Sequence, residues 1–141
     1  MNPIAAYRAA TATSWTRIEM LLALYDAAIE SVERVVTSFD TPGDPSAITT
    51  EKLRARKLTL EILDGIDASQ GDVAANCQRL IIYTLEQFRL DERAHWDAAC
   101  RVLKTLRDGF AGIKSEAIEL ESQGQIPQLD VARAGFDVTV G

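Results

Sequence analysis

Apolar residues between positions 96 and 120 recur at alternating steps of three and four, and this repeat constrains the fold more than any other feature. Its members are Trp96, Ala99, Leu103, Leu106, Phe110, Ile113, Ala117 and Leu120. The spacing puts them on one helix face and is typical of the seam in a left-handed helix bundle. We therefore expect a long helix that starts near Asp91, a suitable N-cap, and packs against other helices. Within it, Gly109 and Gly112 are expected to permit close helix approach.

Three further segments have helical periodicity. They run from about Arg17 to Phe39, from Thr49 to Asp67 and from Asp72 to Leu90, with a loop rich in proline and glycine over residues 40–45. Short connections between the later helices imply antiparallel neighbours. The sequence thus predicts an all-α fold, an antiparallel up-and-down four-helix bundle over residues 16–123. Residues 1–15 form an N-terminal arm that could hold a short extra helix, and residues 124–141 form a C-terminal tail.

The first helix has a sharp predicted start and an unusually wide apolar surface. Thr16 and Glu19 have the spacing of a capping box, in which each side chain satisfies a backbone N–H of the other residue. Beside the main apolar stripe, Leu22, Ile29 and Val36 recur every seven residues and form a second one. A helix that is apolar over so broad an arc is expected to be central. The second stripe also suggests the wall of a binding groove.

Composition excludes several classes of function. At 141 residues the chain is one domain by length, and its formal net charge of −6 disfavours a nucleic acid as the main partner. The one basic cluster, Lys52, Arg54, Arg56 and Lys57, is interpreted as a solvated helix face. Neither a secretory signal nor an apolar run long enough for membrane insertion is evident. The expected location is the cytoplasm.

Catalytic or metal chemistry finds little support in the sequence. Glu92 and His95 match one Glu-x-x-His unit of di-iron bundles, but such sites need two units and the chain has one histidine. Cys77 and Cys100 lie on apolar helix faces and are expected to be buried free thiols rather than zinc ligands. No phosphate-binding glycine loop is present. The sequence therefore predicts a binding protein without metal or cofactor, and not an enzyme.

Four blocks of sequence resemble the flagellin-specific export chaperones, the FliS family. They are Ile4-Ala-Ala-Tyr7, Leu24-Tyr-Asp-Ala-Ala-Ile29, Gln70-Gly-Asp-Val-Ala-Ala-Asn76 followed by Leu80 and Tyr83, and Leu106-Arg-Asp-Gly-Phe110-Ala-Gly-Ile113. Their order and spacing match the family over roughly residues 4–113. The resemblance implies a cytoplasmic chaperone that binds the disordered C-terminal segment of flagellin, prevents premature polymerisation and assists delivery to the flagellar type III export gate.

The resemblance and the second stripe together predict a partner-binding site. Its residues are Ile4, Tyr7, Leu22, Tyr25, Ile29, Val36, Asn76, Leu80 and Tyr83. By resemblance, the arm that carries Ile4 and Tyr7 covers part of the groove when flagellin is absent. The tail is either without a role or, since Phe136, Val138 and Val140 alternate, a second occupant of an apolar surface. The alternatives to a chaperone are a metal- or ligand-binding four-helix-bundle enzyme and a structural adaptor.

Overall fold

The structure is a computed structural model that describes residues 17–124, and every element in that range is helical. The α-helices are α1 (Arg17–Asp40), α2 (Pro45–Asp64), α3 (Asp72–Leu90), α4 (Arg93–Gly112) and α5 (Lys114–Ser122), with one turn of 3-10 helix at Ala68–Gln70. No strand occurs between residues 17 and 124. The predicted all-α class is confirmed, and α3 has the predicted bounds.

The helices pack as a bundle in which α1 contacts α2 and α4, and α3 contacts the same two helices. Four ion pairs fix the direction of α1 relative to the C-terminal helices, because residue numbers rise along α1 as they fall along its partners. They are Arg17–Glu121, Asp26–Arg107, Glu33–Lys104 and Asp40–Arg93. α1 and α4 are therefore antiparallel, while the up-and-down arrangement of the whole bundle stays a prediction.

The apolar seam predicted for the C-terminal third of the chain is confirmed by the burial of its residues on α4. Trp96, Leu103, Leu106 and Phe110 are all buried on α4. Two aromatic contacts join this seam to the rest of the bundle, since Trp96 stacks on Phe88 with ring centroids 4.5 Å apart, and Phe110 lies 5.7 Å from Tyr25. The predicted central position of α1 is consistent with its packing on α2, α4 and α5.

The start and end of α2 differ from the prediction. The helix begins at Pro45 rather than Thr49, because Asp44 caps it by accepting a hydrogen bond from the Ser46 backbone N–H at 3.0 Å. Proline suits the first helical turn, where its missing N–H has no partner to lose. The helix ends at Asp64 rather than Asp67, which instead caps the 3-10 turn through the Ser69 N–H.

Asp91 was predicted to be the N-cap of α4, and this prediction is wrong. It ends α3 in the left-handed conformation, with φ of 53°, and Glu92 takes the N-cap position without a side-chain hydrogen bond. The Asp91 carboxylate instead accepts a hydrogen bond from Trp96 Nε1 at 2.8 Å and pairs with Lys52 Nζ at 3.0 Å. Asparagine and aspartate tolerate this conformation better than most residues do. The side chain thereby ties the α3–α4 turn to α2.

The predicted fourth helix is divided at Ile113 into α4 and α5. The apolar seam nevertheless continues across the break, because Ala117 of α5 is buried. The expectation that Gly112 permits close helix approach is wrong, since a Cβ built at this residue would meet no atom within 4 Å. Gly112 is exposed and ends α4, where its poor helix propensity favours the break.

Replacement of Gly112 by alanine is expected to raise the free energy of unfolding by about 0.5–1 kcal/mol, because alanine has the higher helix propensity and the lower unfolded-state entropy. Urea denaturation followed by circular dichroism measures the change. Gly124→Ala is the matched control: Gly124 has equal space but a φ of +71°, so alanine there should destabilise the protein. Stabilisation by both substitutions, or by neither, would contradict this account.

The arm, the tail and the capping box lie wholly or partly outside the described residues. Ile4, Tyr7 and Thr16 precede the first described residue, and Phe136 lies beyond the last. The predictions made for them stay predictions.

Candidate functional site

The predicted binding residues of α1 lie in the core. Tyr25 is buried against Phe110, and only 9% of Leu22 and 7% of Ile29 is exposed, whereas Val36 is half-buried. Burial also raises the pKa of the Tyr25 hydroxyl well above its usual range. These side chains offer a partner very little surface in the conformation described.

The second stripe of α1 faces α4, which explains why it is apolar. Each of its residues lies four positions, about one helical turn, before a carboxylate, and each of these carboxylates pairs with a cation of α4. Leu22 precedes Asp26, Ile29 precedes Glu33, and Val36 precedes Asp40. A helix with neighbours on two sides buries a wide arc. The wide arc therefore does not require a groove, and this corrects the interpretation of the stripe as a groove wall.

The predicted residues of α3 form a separate stripe along one edge of that helix. Asn76, Leu80 and Tyr83 are followed at the same spacing by Gln87, so all four share a face. Gln87 Oε1 lies 2.7 Å from Nδ1 of His95 on α4, which shows that this face borders α4. Asn76 and Leu80 are half-buried, whereas 44% of Tyr83 is exposed. This α3–α4 edge is the accessible part of the predicted site.

The opposite wall of the α3–α4 edge follows from the register that Gln87 and His95 set. A short turn joins the two helices, which predicts an antiparallel pair, and seven residues make about two helical turns. Continued from the Gln87–His95 contact, an antiparallel register predicts Val102 opposite Leu80 and Gly109 opposite Val73. This register predicts an apolar edge with polar groups at the end near the α3–α4 turn.

The structure does not bring the α1 set and the α3 set into one groove. α4 presents Lys104 and Arg107 to α1 and presents His95 to α3. α4 therefore lies between the two sets. Sequence reasoning weighed His95 only as a metal ligand and missed Gln87, although Gln87 continues the spacing of Asn76, Leu80 and Tyr83 and could have been found from it.

Two arginines of α3 form hydrogen bonds with side chains of the same helix. Arg79 donates a hydrogen bond to the Asn76 side chain, and Arg89 binds Glu86 with Nε 2.9 Å from Oε2. The hydrogen bond from Arg89 lowers the pKa of the Glu86 carboxyl. The Arg89–Glu86 ion pair is exposed and contributes little to stability, since exposed ion pairs are typically worth under about 1 kcal/mol. The edge is therefore suited to apolar contacts with polar margins.

The described residues do not assemble a metal site. Within residues 17–124, no group of three or more histidine, cysteine or acidic side chains could hold a metal ion. His95 is engaged with Gln87, and Cys77 and Cys100 are buried free thiols, as predicted. In the same range, no helix combines the length and hydropathy needed to cross a membrane.

The buried thiol of Cys77 should make the protein less stable at alkaline pH. Burial raises the pKa of Cys77 from 9.0 to about 11. Since the folded-state value is the higher one, the thiol contributes its full stability below pH 9 and loses it as the pH rises through 11. Urea midpoints at pH 8 and pH 11, measured with reductant, should differ more for the native chain than for Cys77→Ala. An identical pH dependence in the two proteins would contradict this.

Comparison of the chain with protein-family models, curated proteins and solved structures finds no match.

Proposed function

We propose that this protein is a cytoplasmic flagellin-specific export chaperone. Two things support the proposal: the four blocks that resemble the FliS family, and an all-helical bundle with an accessible apolar edge. The observation that carries it is the α3–α4 edge, where Leu80 and Tyr83 come from the third block and Tyr83 is 44% exposed. Exposed aromatic side chains are frequent anchors in protein interfaces.

The proposed client is the disordered C-terminal segment of flagellin. An amphipathic segment lays apolar anchors, one every three or four residues, into a track between two helices. The α3–α4 edge runs along both helices and could receive such anchors on Leu80 and Tyr83. The segment would be ordered only when it binds, which limits affinity and allows release. Release would then occur at the flagellar type III export gate.

Protection of flagellin in this proposal requires neither ATP nor a cofactor. A chaperone that binds the polymerising segment lowers the concentration of free segment by mass action. The protein would then act by binding and not as an enzyme. The N-terminal arm, with Ile4 and Tyr7, remains by resemblance a second element that covers part of the client site.

The test is calorimetric titration of the full chain with the C-terminal segment of flagellin from the same organism. Saturable binding is expected, with a loss of at least about tenfold in Tyr83→Asp, because a carboxylate placed among apolar anchors must be desolvated. Ile82→Asp is the matched control, since Ile82 is 51% exposed on the same helix. It is one residue before Tyr83, so its side chain leaves the helix about 100° away from that of Tyr83. Circular dichroism verifies that both variants fold.

Three outcomes would count against the proposal. Absence of binding by the native chain would remove the chaperone function. Equal losses in Tyr83→Asp and Ile82→Asp would remove the placement at the α3–α4 edge. Binding that persists after the flagellin segment is deleted would favour the structural adaptor with a folded partner.

A further inference from the structure

The last helix of the bundle, α5, is short and has a small apolar interface. It packs on α1 and α4. Ala117 is its one buried residue, whereas Ile118 and Leu120 are half-buried. Alanine has a single methyl group, so its burial stabilises a structure much less than the burial of a leucine does. The packing of α5 is therefore weak beside that of α4, which buries seven residues, among them Trp96 and Phe110.

The helix is interrupted between α4 and α5. Ile113 lies there with φ of −107° and ψ of 7°, outside the range of an α-helix, and no side chain caps the start of α5. Gly112 comes just before it, and a Cβ built at Gly112 would meet no atom within 4 Å. Hinges are commonly a few residues at the ends of elements, where the backbone can turn without a clash. Residues 112 and 113 have both properties.

The far end of α5 is joined to the first residue of α1 by Glu121. Its Oε2 accepts a hydrogen bond from the Arg17 backbone N–H at 3.3 Å, and its Oε1 lies 3.5 Å from Arg17 Nε. The first N–H groups of a helix have no partner within that helix, and a negative charge near them is favourable. Glu121 therefore supports the start of α1 from a helix at the other end of the described chain.

We propose that α5 is a hinged strap that opens about Ile113 as one unit while α2, α3 and α4 stay folded. The closed strap buries Ala117 and holds Glu121 at the start of α1. Opening withdraws Glu121, so the first turn of α1 loses this support and frays. Segments with little buried apolar surface open at a lower free energy than the core does. Since residues 1–16 continue from this turn, the strap sets how firmly the base of the N-terminal arm is held.

The strap is independent of the proposed function, because it concerns the protein without a partner. A failed titration with flagellin would leave it unchanged. Conversely, the exchange measurements that test the strap are made without flagellin, so the two proposals can fail separately.

The test is native-state hydrogen exchange of the full chain, followed by nuclear magnetic resonance at increasing urea below the unfolding transition. Amides of α5 should be at least about tenfold less protected than that of Leu103 in α4. Their exchange should also depend less on urea, because a local opening exposes less surface than global unfolding does. The amide of Leu21, which bonds one turn back to the carbonyl of Arg17, should follow the amides of α5.

A pair of glutamine variants tests the contact that closes the strap. Glu121→Gln should speed exchange in α5 and at Leu21 about two- to fivefold, because it removes an exposed charge pair with Arg17. Glu119→Gln is the matched control. It removes the same charge from the same helix, but the Glu119 Oε1 lies 3.3 Å from Gln123 Nε2, within the strap itself. Its effect should stay below about twofold.

Trp96→Phe distinguishes opening of the strap from unfolding of the whole bundle. Trp96 contacts Phe88 and Asp91, and both contacts stay intact whether the strap is closed or open. The variant should therefore speed exchange at Leu103, which needs global unfolding, and leave exchange in α5 unchanged.

Any of five results would overturn the proposal. Equal protection and equal urea dependence in α5 and at Leu103 would make α5 part of the core. No protection in α5 would mean that it is not closed on α1. Exchange at Leu21 that does not follow α5 would remove the link to α1. Equal effects of the two glutamine variants would leave only net charge. Faster exchange of α5 in Trp96→Phe would mean that α5 opens only with the whole bundle.

Discussion

A chain with Leu22→Asp and Ile29→Asp is expected to lose its cooperative unfolding transition at pH 7. Both side chains are buried where α1 faces α4. A carboxylate buried there without a partner costs several kcal/mol, and two of them are comparable to the 5–15 kcal/mol that stabilises a typical domain. Far-UV circular dichroism during urea denaturation measures the loss.

Leu53→Asp with Leu60→Asp is the matched control for this double substitution. It also introduces two aspartates seven residues apart on one helix, but at exposed positions. Surface changes of this kind usually alter the free energy of unfolding by no more than about 0.5 kcal/mol each. If the α1 variant kept the native urea midpoint, the packing of α1 on α4 would be wrong. If it unfolds as expected, its loss of flagellin binding says nothing about where flagellin binds.

Trp96→Ala is expected to lower the free energy of unfolding by about 3–5 kcal/mol. Trp96 is fully buried, stacks on Phe88 and donates a hydrogen bond to Asp91. Its removal leaves a cavity and takes one hydrogen bond from the carboxylate that also pairs with Lys52. Urea denaturation followed by circular dichroism gives the value.

Two further variants separate the parts of the Trp96 effect. Trp96→Phe keeps an aromatic ring against Phe88 but loses the indole N–H, so it should cost less than Trp96→Ala. Phe39→Ala serves as the control, because Phe39 is exposed and its ring is covered only in part by Lys52, whose Nζ lies 5.6 Å from the ring centroid. A cost for Trp96→Ala no greater than that for Phe39→Ala would contradict its place in the core.

Sequence periodicity predicted helix bounds well where helix-interrupting residues flank a clear apolar repeat. The bounds of α3 were found because Gly71 and Asp91 both interrupt helix and flank a clear apolar repeat. At α2 the prediction treated Pro45 only as a breaker and overlooked the cap at Asp44. At Asp91 the pattern predicted an N-cap of α4, whereas the observed role of its side chain depends on Trp96 and Lys52, contacts that a linear pattern does not reveal.

The candidate site could be predicted only in part for a related reason. Periodicity shows how wide an apolar arc is, but it does not show which neighbours cover it. Leu22 and Ile29 were therefore assigned to a groove, although α4 buries them. Tyr83 was placed in the site by resemblance and not by periodicity, and it is 44% exposed.

The contacts around the α3–α4 turn have a consequence for the order in which the chain folds. They are local: Gln87 and His95 are eight residues apart, and Asp91 and Trp96 are five apart. The contact of Asp26 with Arg107 instead closes a loop of 81 residues. Since loop-closure entropy rises with loop length, these local contacts cost least to form. We therefore expect α3 and α4 to pair early in folding, and substitutions at Trp96 to slow folding more than substitutions at Arg107 do.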